Sequence, residues 1–223
     1  MNPINFLKRL RFRLFYAWMT KSNVPLVTLG DTCQWTFCDT NLKAHSKVLC
    51  AGAGHDISFE KALIQAYGCR VILLDPSPTG TTTVTKEKIP QVQLCFIPMG
   101  LARLDGFAGF HEPNDLNEGS FRAGKDVAAG TLRFPCKSLS TLMSEVGWQQ
   151  IDLLKIDIEG SEYGVIQDIL ENNLDVAQIC VEFHYGNSFG YTRNEMIGSI
   201  RALRRAGYHL VHHINRDHTF LRC

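Results

Sequence analysis

A chain of 223 residues suits one large domain or two small ones, and a single domain of this length buries roughly 70% of its unfolded surface and needs no covalent staples. Its 23 Lys and Arg against 22 Asp and Glu leave a net charge of +1, which excludes a global basic field for nucleic acid or acidic membranes. The charge is unevenly placed: residues 1–30 carry Lys8, Arg9, Arg11, Arg13 and Lys21 and no acid, leaving 18 basic and 22 acidic side chains in residues 31–223.

Residues 1–30 therefore read as a basic amphipathic arm ahead of a single domain over 31–223. The stretch FLKRLRFRLFYAWM has the pattern of a helix that packs on the domain or, through residues 1–22, rests on anionic lipid. Its apolar run Leu14–Met19 is too short to span a bilayer, which takes roughly 20 residues. It also lacks the small-residue cleavage site of a signal peptide. Eight cysteines stand at 33, 38, 50, 69, 95, 136, 180 and 223 without C-x-x-C spacing. Cys50, Cys69, Cys95 and Cys180 lie in or beside apolar strands, where a thiol acts as a small hydrophobe. That usage indicates a reduced, cytoplasmic chain, with Cys33 and Cys38 left as an open pair.

In chain order, KVLCAG (47–52) reads as a strand ending in glycine. DISFEKALIQAYG follows as a helix with Phe59, Ala62, Leu63, Ala66 and Tyr67 on one face and Gly68 as its stop. RVILLD (70–75) and VQLCFIP (92–98) are further strands. Met99 to Leu132, rich in Gly, Asn and Asp, shows no periodicity and reads as loop or lid, with Phe107, Phe110 and Phe121 among its glycines. SLSTLMSEVG is a helix capped by Ser138, IDLLKID a strand, EYGVIQDIL a helix and QICVEFH a strand. Thr192 and Glu195 form a capping box for a helix reaching about Arg205. YHLVHHI and HTFLRC close the chain as a hairpin around NRD. Alternating strands and helices predict an α/β fold with a doubly wound, mostly parallel sheet and a C-terminal antiparallel hairpin. Ligands of such sheets bind beyond the carboxyl ends of the strands, at the topological switch point.

Three strand ends carry chemistry. After the first, AGAGHDISF places Gly52, Ala53 and Gly54 where backbone amides and a helix N-terminus turn toward an anion, either a pyrophosphate or an amino-acid carboxylate. Asp56 either caps that helix or accepts from a ligand amine. After the second, Asp75 follows Gly52 at the distance expected of an acid that bonds ribose hydroxyls, and Pro76 stiffens the exit. After the third, Met99 and Leu101 are candidate walls for an adenine ring.

The fourth strand end, IDLLKIDIEGSEYGVI, is the most charged. Alternation puts Leu154, Ile156 and Ile158 on one face and Lys155, Asp157 and Glu159 on the other. The next strand sets Glu182 and His184 on its corresponding face. If the two strands are neighbours, a lysine, three acids and a histidine converge at one rim. Three uses are open: an ion-pair network matching Lys155 to Asp157 or Glu182; a Mg²⁺ or Mn²⁺ site from Asp157, Glu159 and Glu182 with His184; or catalysis, with Asp157 or His184 orienting or deprotonating a hydroxyl.

VLCAGAGHDISFE, LLDPSP, LLKIDIEGSEYGVI and ICVEFH, in this order, resemble the FkbM-type methyltransferases over about residues 30–215, and KIDIEGSE is the most specific part. The resemblance implies a Rossmann-like methyltransferase sheet, S-adenosylmethionine as cofactor and O-methylation of a small-molecule or glycan hydroxyl. It further implies that Gly52, Gly54 and Asp56 hold the methionine portion, Asp75 the ribose, and that Asp157 faces the transferable methyl. Cys50 and Ala51 stand where many other methyltransferases carry an acid. A nicotinamide-dependent oxidoreductase is the rival on a similar sheet, opposed by Ile57 in place of a third glycine and by the lack of a Y-x-x-x-K pair. A non-catalytic, membrane-associated binding module is a second rival.

Overall fold

A computed structural model describes residues 14–20, 23–40, 42–112, 121–123 and 132–222. The basic cluster Lys8, Arg9, Arg11, Arg13 and Lys21 lies outside them. Helix α1 (described residues 14–19) precedes a short antiparallel pair, β1 (Val27–Leu29) and β2 (Trp35–Phe37). Then come β3 (Val48–Ala51), α2 (Ser58–Tyr67), β4 (Val71–Leu74), α3 (Pro78–Glu87) and β5 (Leu94–Ile97). Strands β6 (Gly100–Leu101), β7 (Gly106–Phe110) and β8 (Leu132–Lys137) follow, with α4 (Leu139–Glu145) after them. The chain ends with β9 (Leu153–Ile156), α5 (Glu162–Glu171), β10 (Gln178–Glu182), α6 (Arg193–Arg205), β11 (Tyr208–Ile214) and β12 (Asp217–Arg222).

The main sheet has seven strands in the order β11-β12-β10-β9-β3-β4-β5. Strands β10, β9, β3, β4 and β5 pair in parallel, and the β11–β12 hairpin adds antiparallel to β10, as the sequence pattern anticipates. From β3 the chain winds outward through β4 and β5, then returns to β9 on the other side. The switch point is thus the gap between β3 and β9, and the turns after those two strands diverge there.

Alternation along the buried strands separates two cores. Leu49, Ala51, Ile72, Leu74, Leu154, Ile156, Ile179 and Val181 pack on one face. Val48, Cys50, Val71, Leu73, Leu153 and Cys180 pack on the other, under Trp35, Phe37 and Phe59. A fully buried Leu or Val contributes about 1.5–3 kcal/mol, and covering both faces explains why these strands are apolar at nearly every position.

Two stretches depart from the expectation. The segment after Met99 is not wholly irregular: β6, β8 and β7 form a separate three-stranded sheet, with β7 antiparallel to β8. Strand β7, GFAGF, has little intrinsic strand preference; its partner lies far along the chain and supplies the missing hydrogen bonds. Helix α3 also escapes periodicity, because PTGTTTVTKE holds five threonines and no apolar stripe. Ser77 caps it by accepting from Gly80 N, Pro78 occupies the first turn, and Thr81, Thr82 and Thr85 donate back to carbonyls one turn earlier. The expected caps are present: Ser138 accepts from Thr141 N, and Thr192 with Glu195 completes a capping box.

In α1, Tyr16 and Met19 are buried in the main core, so this part of the arm packs on the domain. Cys33 and Cys38 are both free.

Candidate active site

A cleft of about 270 Å³ opens at the switch point. Its floor is the turn after β3. Gly52 takes φ +93, and a Cβ there would lie 1.8 Å from the Asp157 carbonyl oxygen, so only glycine lets the β3 and β9 turns pass each other. Gly54 takes φ +49 and has no neighbour within 4 Å of a Cβ position, leaving its side open. Ala53, Asp56, Asp75, Pro76 and Leu101 complete the expected set along the wall. Met99 is the exception. Its N–H bonds back to Ile97 O at 2.8 Å, and that tight turn carries it away from the cleft while Leu101 stays in the wall. Phe110 and Phe121 line the opposite side, whereas Phe107 stands 65% exposed outside it.

The two acids of the first strand ends organise backbone. Asp75 is buried; its Oδ2 accepts from Ala53 N at 2.8 Å and Gly54 N at 3.1 Å, and its Oδ1 accepts from Ser77 N and Oγ at 2.7 and 2.5 Å. All four lone-pair directions of that carboxylate are thereby occupied. Asp56 accepts from Cys33 N at 2.8 Å, Ser58 N at 2.7 Å and Ser58 Oγ at 3.0 Å. Partial burial works to raise its pKa, but these donors outweigh it and hold the carboxyl below its ordinary value.

Lys155 is not matched to Asp157 or Glu182, as the strand pattern alone allows. It is 3% exposed, donates to the Gly52 carbonyl at 2.5 Å and stands 3.8 Å from Glu60 Oε1. The Trp35 ring lies 5.5 Å beneath its ammonium. Glu60, on α2, is itself 1% exposed. Burial works against the charged lysine, yet the carboxylates of Glu60 and Asp157 raise its pKa above the ordinary value. Glu60 was not legible as a site residue: it falls among the apolar positions of α2, and its partner is far away in sequence.

At the charged rim, β9 and β10 are parallel neighbours with Cys180 opposite Lys155, so their ends do bring Asp157, Glu159, Glu182 and His184 together. Strand β9 stops at Ile156, and the turn bends through Glu159 at φ +53 and Gly160 at φ +114. His184 is buried at the centre. Its Nε2 lies 4.0 Å from Asp157 Oδ1, 3.5 Å from Glu159 Oε2 and 3.7 Å from Glu182 Oε1. Its Nδ1 is 2.8 Å from Glu162 Oε1. Glu162 is fully buried and also accepts from Ile158 N and Gly160 N at 3.1 Å each, so it shapes the turn as well as gripping the histidine. Burial works to lower the His184 pKa, but the Glu162 bond and the surrounding acids push it up to about 10. Burial and the Asp157 charge push Glu182 up to about 7. Asp217, at the start of β12, is pushed up to about 6, chiefly by burial and by Asp157. Asp217 enters only because the C-terminal hairpin folds beside β10, and nothing local in its sequence marks it.

Asp157 and Glu159 line the cleft as well as facing His184, so the cleft and the acidic rim share these residues. Ligand atoms of Asp157, Glu182 and His184 lie within 4.8 Å of one another.

Residues 38–210 match the family model of the methyltransferase FkbM domain. No curated protein matches the chain. Among solved structures, the chain is similar to the Methanococcus jannaschii fibrillarin pre-rRNA processing protein, at 9% identity and TM-score 0.47 over 90% of this chain and 83% of that one. It is also similar to M. jannaschii TYW2 in complex with AdoMet, at 11% identity and TM-score 0.37 over 91% and 89%. A third likeness is to the methyltransferase domain of bacterial CtHen1-C, at 12% identity and TM-score 0.40 over 80% and 90%.

Proposed function

Because the chain belongs to the FkbM methyltransferase family, and is therefore an S-adenosylmethionine-dependent methyltransferase, we propose that it methylates a hydroxyl on a sugar or another small metabolite. The observation that carries this reading is that Asp157 belongs both to the cleft and to the buried acid–histidine rim. The cleft residues suit the cofactor. Gly54 leaves its Cβ side open, Gly52 lets the turn pass close against that of β9, and Asp56 stands where an amine would meet a carboxylate. Asp75 contributes by holding the Ala53 and Gly54 amides in place, so it shapes the loop beside the cofactor rather than bonding the ribose itself. S-adenosylmethionine, when bound, supplies an already electrophilic methyl group.

The work left to the protein is positioning and one proton. A hydroxyl bound at the rim would donate to the Asp157 carboxylate, which takes its proton as the oxygen becomes nucleophilic. Orientation can be worth roughly 7–11 kcal/mol, and a placed base adds about 10²–10⁴-fold. His184, with its pKa pushed up to about 10, acts here as a buried cation that holds Asp157, Glu159 and Glu182 together rather than as the base. Phe189 lies 4.9 Å from the His184 ring, and Arg216 stacks over both Phe189 and Tyr185, so this side of the rim is closed by aromatic and guanidinium groups.

Transfer of labelled methyl from S-adenosylmethionine to a panel of glycans and small alcohols, with amines alongside, tests the reading. Labelled ethers are expected. Labelling of amines alone, or calorimetric binding of NADH without S-adenosylmethionine, would overturn it. The spacing of Asp157, Glu182 and His184 favours a second reading in which Mg²⁺ or Mn²⁺ helps orient the hydroxyl, with Glu159 beside them. Loss of transfer after chelation, restored by either ion, supports that version; unchanged transfer rules it out. The seven free cysteines among the described residues support a cytoplasmic, reduced setting, and no described helix is long and apolar enough to cross a membrane.

A further inference from the structure

Helix α1 is apolar on more sides than the domain covers. Tyr16 and Met19 point inward; the Tyr16 hydroxyl is 2.6 Å from His218 Nε2, and its ring stacks on His213 at 3.8 Å. Leu14, Ala17 and Trp18, spaced i, i+3 and i+4, share the opposite face, where Leu14 is 60% and Trp18 70% exposed. A helix apolar on both faces is stable when both are covered. The domain covers one of them.

Helix α6 runs beside the uncovered face and supplies charge. Arg201, Arg204 and Arg205 are exposed, and among the described residues none of them forms an ion pair. The Arg204 guanidinium lies 3.9 Å over the Trp18 ring, and that of Arg201 lies 5.7 Å from the Phe15 ring centroid. Residues 1–30 contain no acid, so the segment that carries α1 adds no negative charge of its own.

We propose that α1 and α6 together form a docking face for an anionic lipid bilayer, with Leu14 and Trp18 at the boundary between headgroups and acyl chains and Arg201, Arg204 and Arg205 on lipid phosphates. Tryptophan is enriched at that boundary, and arginines near an anionic leaflet are each worth about a fivefold gain in binding. A second copy of the chain is a poor occupant, since a twofold interface on this face would bury two copies of the same arginine cluster together. The proposal is independent of the acceptor's identity, because the patch contains none of the cleft residues.

Sedimentation of the full chain with phosphatidylcholine vesicles, with or without phosphatidylglycerol, tests it at low and physiological salt. Binding is expected only with phosphatidylglycerol and weaker at higher salt. Replacing Arg201, Arg204 and Arg205 by Gln should lower it about a hundredfold, and Trp18→Ala should lower it too, with S-adenosylmethionine binding unchanged in both. Failure of the parent chain to bind anionic vesicles at low salt overturns the proposal, and leaves a protein partner for the face. Variants that bind as tightly as the parent overturn it as well. Should Trp18→Ala fail to fold, brominated lipids decide on the parent chain: quenching of its tryptophan fluorescence is expected, and its absence overturns the proposal.

Discussion

Replacing Lys155 by Met removes a charge from the interior while keeping an unbranched side chain only one atom shorter. In the folded protein it would leave Glu60, 1% exposed, with no cation, and the Gly52 carbonyl without its donor at 2.5 Å. Glu60 Oε1 already lacks a hydrogen-bond partner, so the lysine 3.8 Å away is its compensation. Breaking a buried pair by removing one member costs about 3–5 kcal/mol. The lost hydrogen bond overlaps with that figure, because the two contacts share one atom. A domain of this size shifts its midpoint by about 2–4 °C per kcal/mol, so Lys155→Met should melt roughly 6–20 °C lower. The double variant with Glu60→Gln removes the stranded charge and should recover a large part of the loss. Thermal unfolding followed by circular dichroism gives both numbers, and calorimetry with S-adenosylmethionine tests whether the freed Gly52 turn weakens cofactor binding. A single variant that melts within 2 °C of the parent, or a double variant no more stable than the single one, would refute the reasoning, since either result means Glu60 is not held by Lys155.

Asp157→Asn should cut methyl transfer by about 10²–10⁴-fold while leaving S-adenosylmethionine affinity within a fewfold of the parent; full activity in single-turnover assays removes Asp157 from its role. Gly52→Ala drives a Cβ to 1.8 Å from a backbone oxygen and should abolish cofactor binding or folding, whereas Gly54→Ala, in open space at φ +49, should cost only about 1–2 kcal/mol by urea titration. Equal effects at the two positions would contradict the geometry. His218 carries a pH dependence. Burial presses its pKa down to about 4, and the neutral ring donates from Nδ1 to the Arg216 carbonyl while facing the Tyr16 hydroxyl through Nε2. Above its ordinary value of 6.5 neither folded nor unfolded chain is protonated there, so the group is without effect. Below that value the unfolded chain takes the proton first, and stability falls until about pH 4, by on the order of 3 kcal/mol. His218→Gln should show a shallower loss than the parent between pH 6.5 and 4 in urea unfolding; identical slopes would contradict it.

Much of the fold was readable because its causes are local. Alternating runs such as KVLCAG and RVILLD with helices capped by Ser138 and Thr192 mark a parallel sheet, and KIDIEGSE together with the glycine turn marks the family. These signals lie within a few residues of each other, where backbone preference and side-chain alternation act. Other features depend on partners that only folding brings near. GFAGF becomes a strand through pairing with β8, Glu60 meets Lys155 across a helix and a sheet, and Asp217 reaches the rim with the final hairpin. The sequence by itself determined the sheet class, the family and the charged strand end of this protein. Tertiary structure alone decided that Lys155 braces the Gly52 turn, that Glu162 grips His184 and that Asp75 holds the glycine amides. The physical reason is that a buried charge takes its role from whichever groups compensate it, and those groups are neighbours in space rather than in sequence.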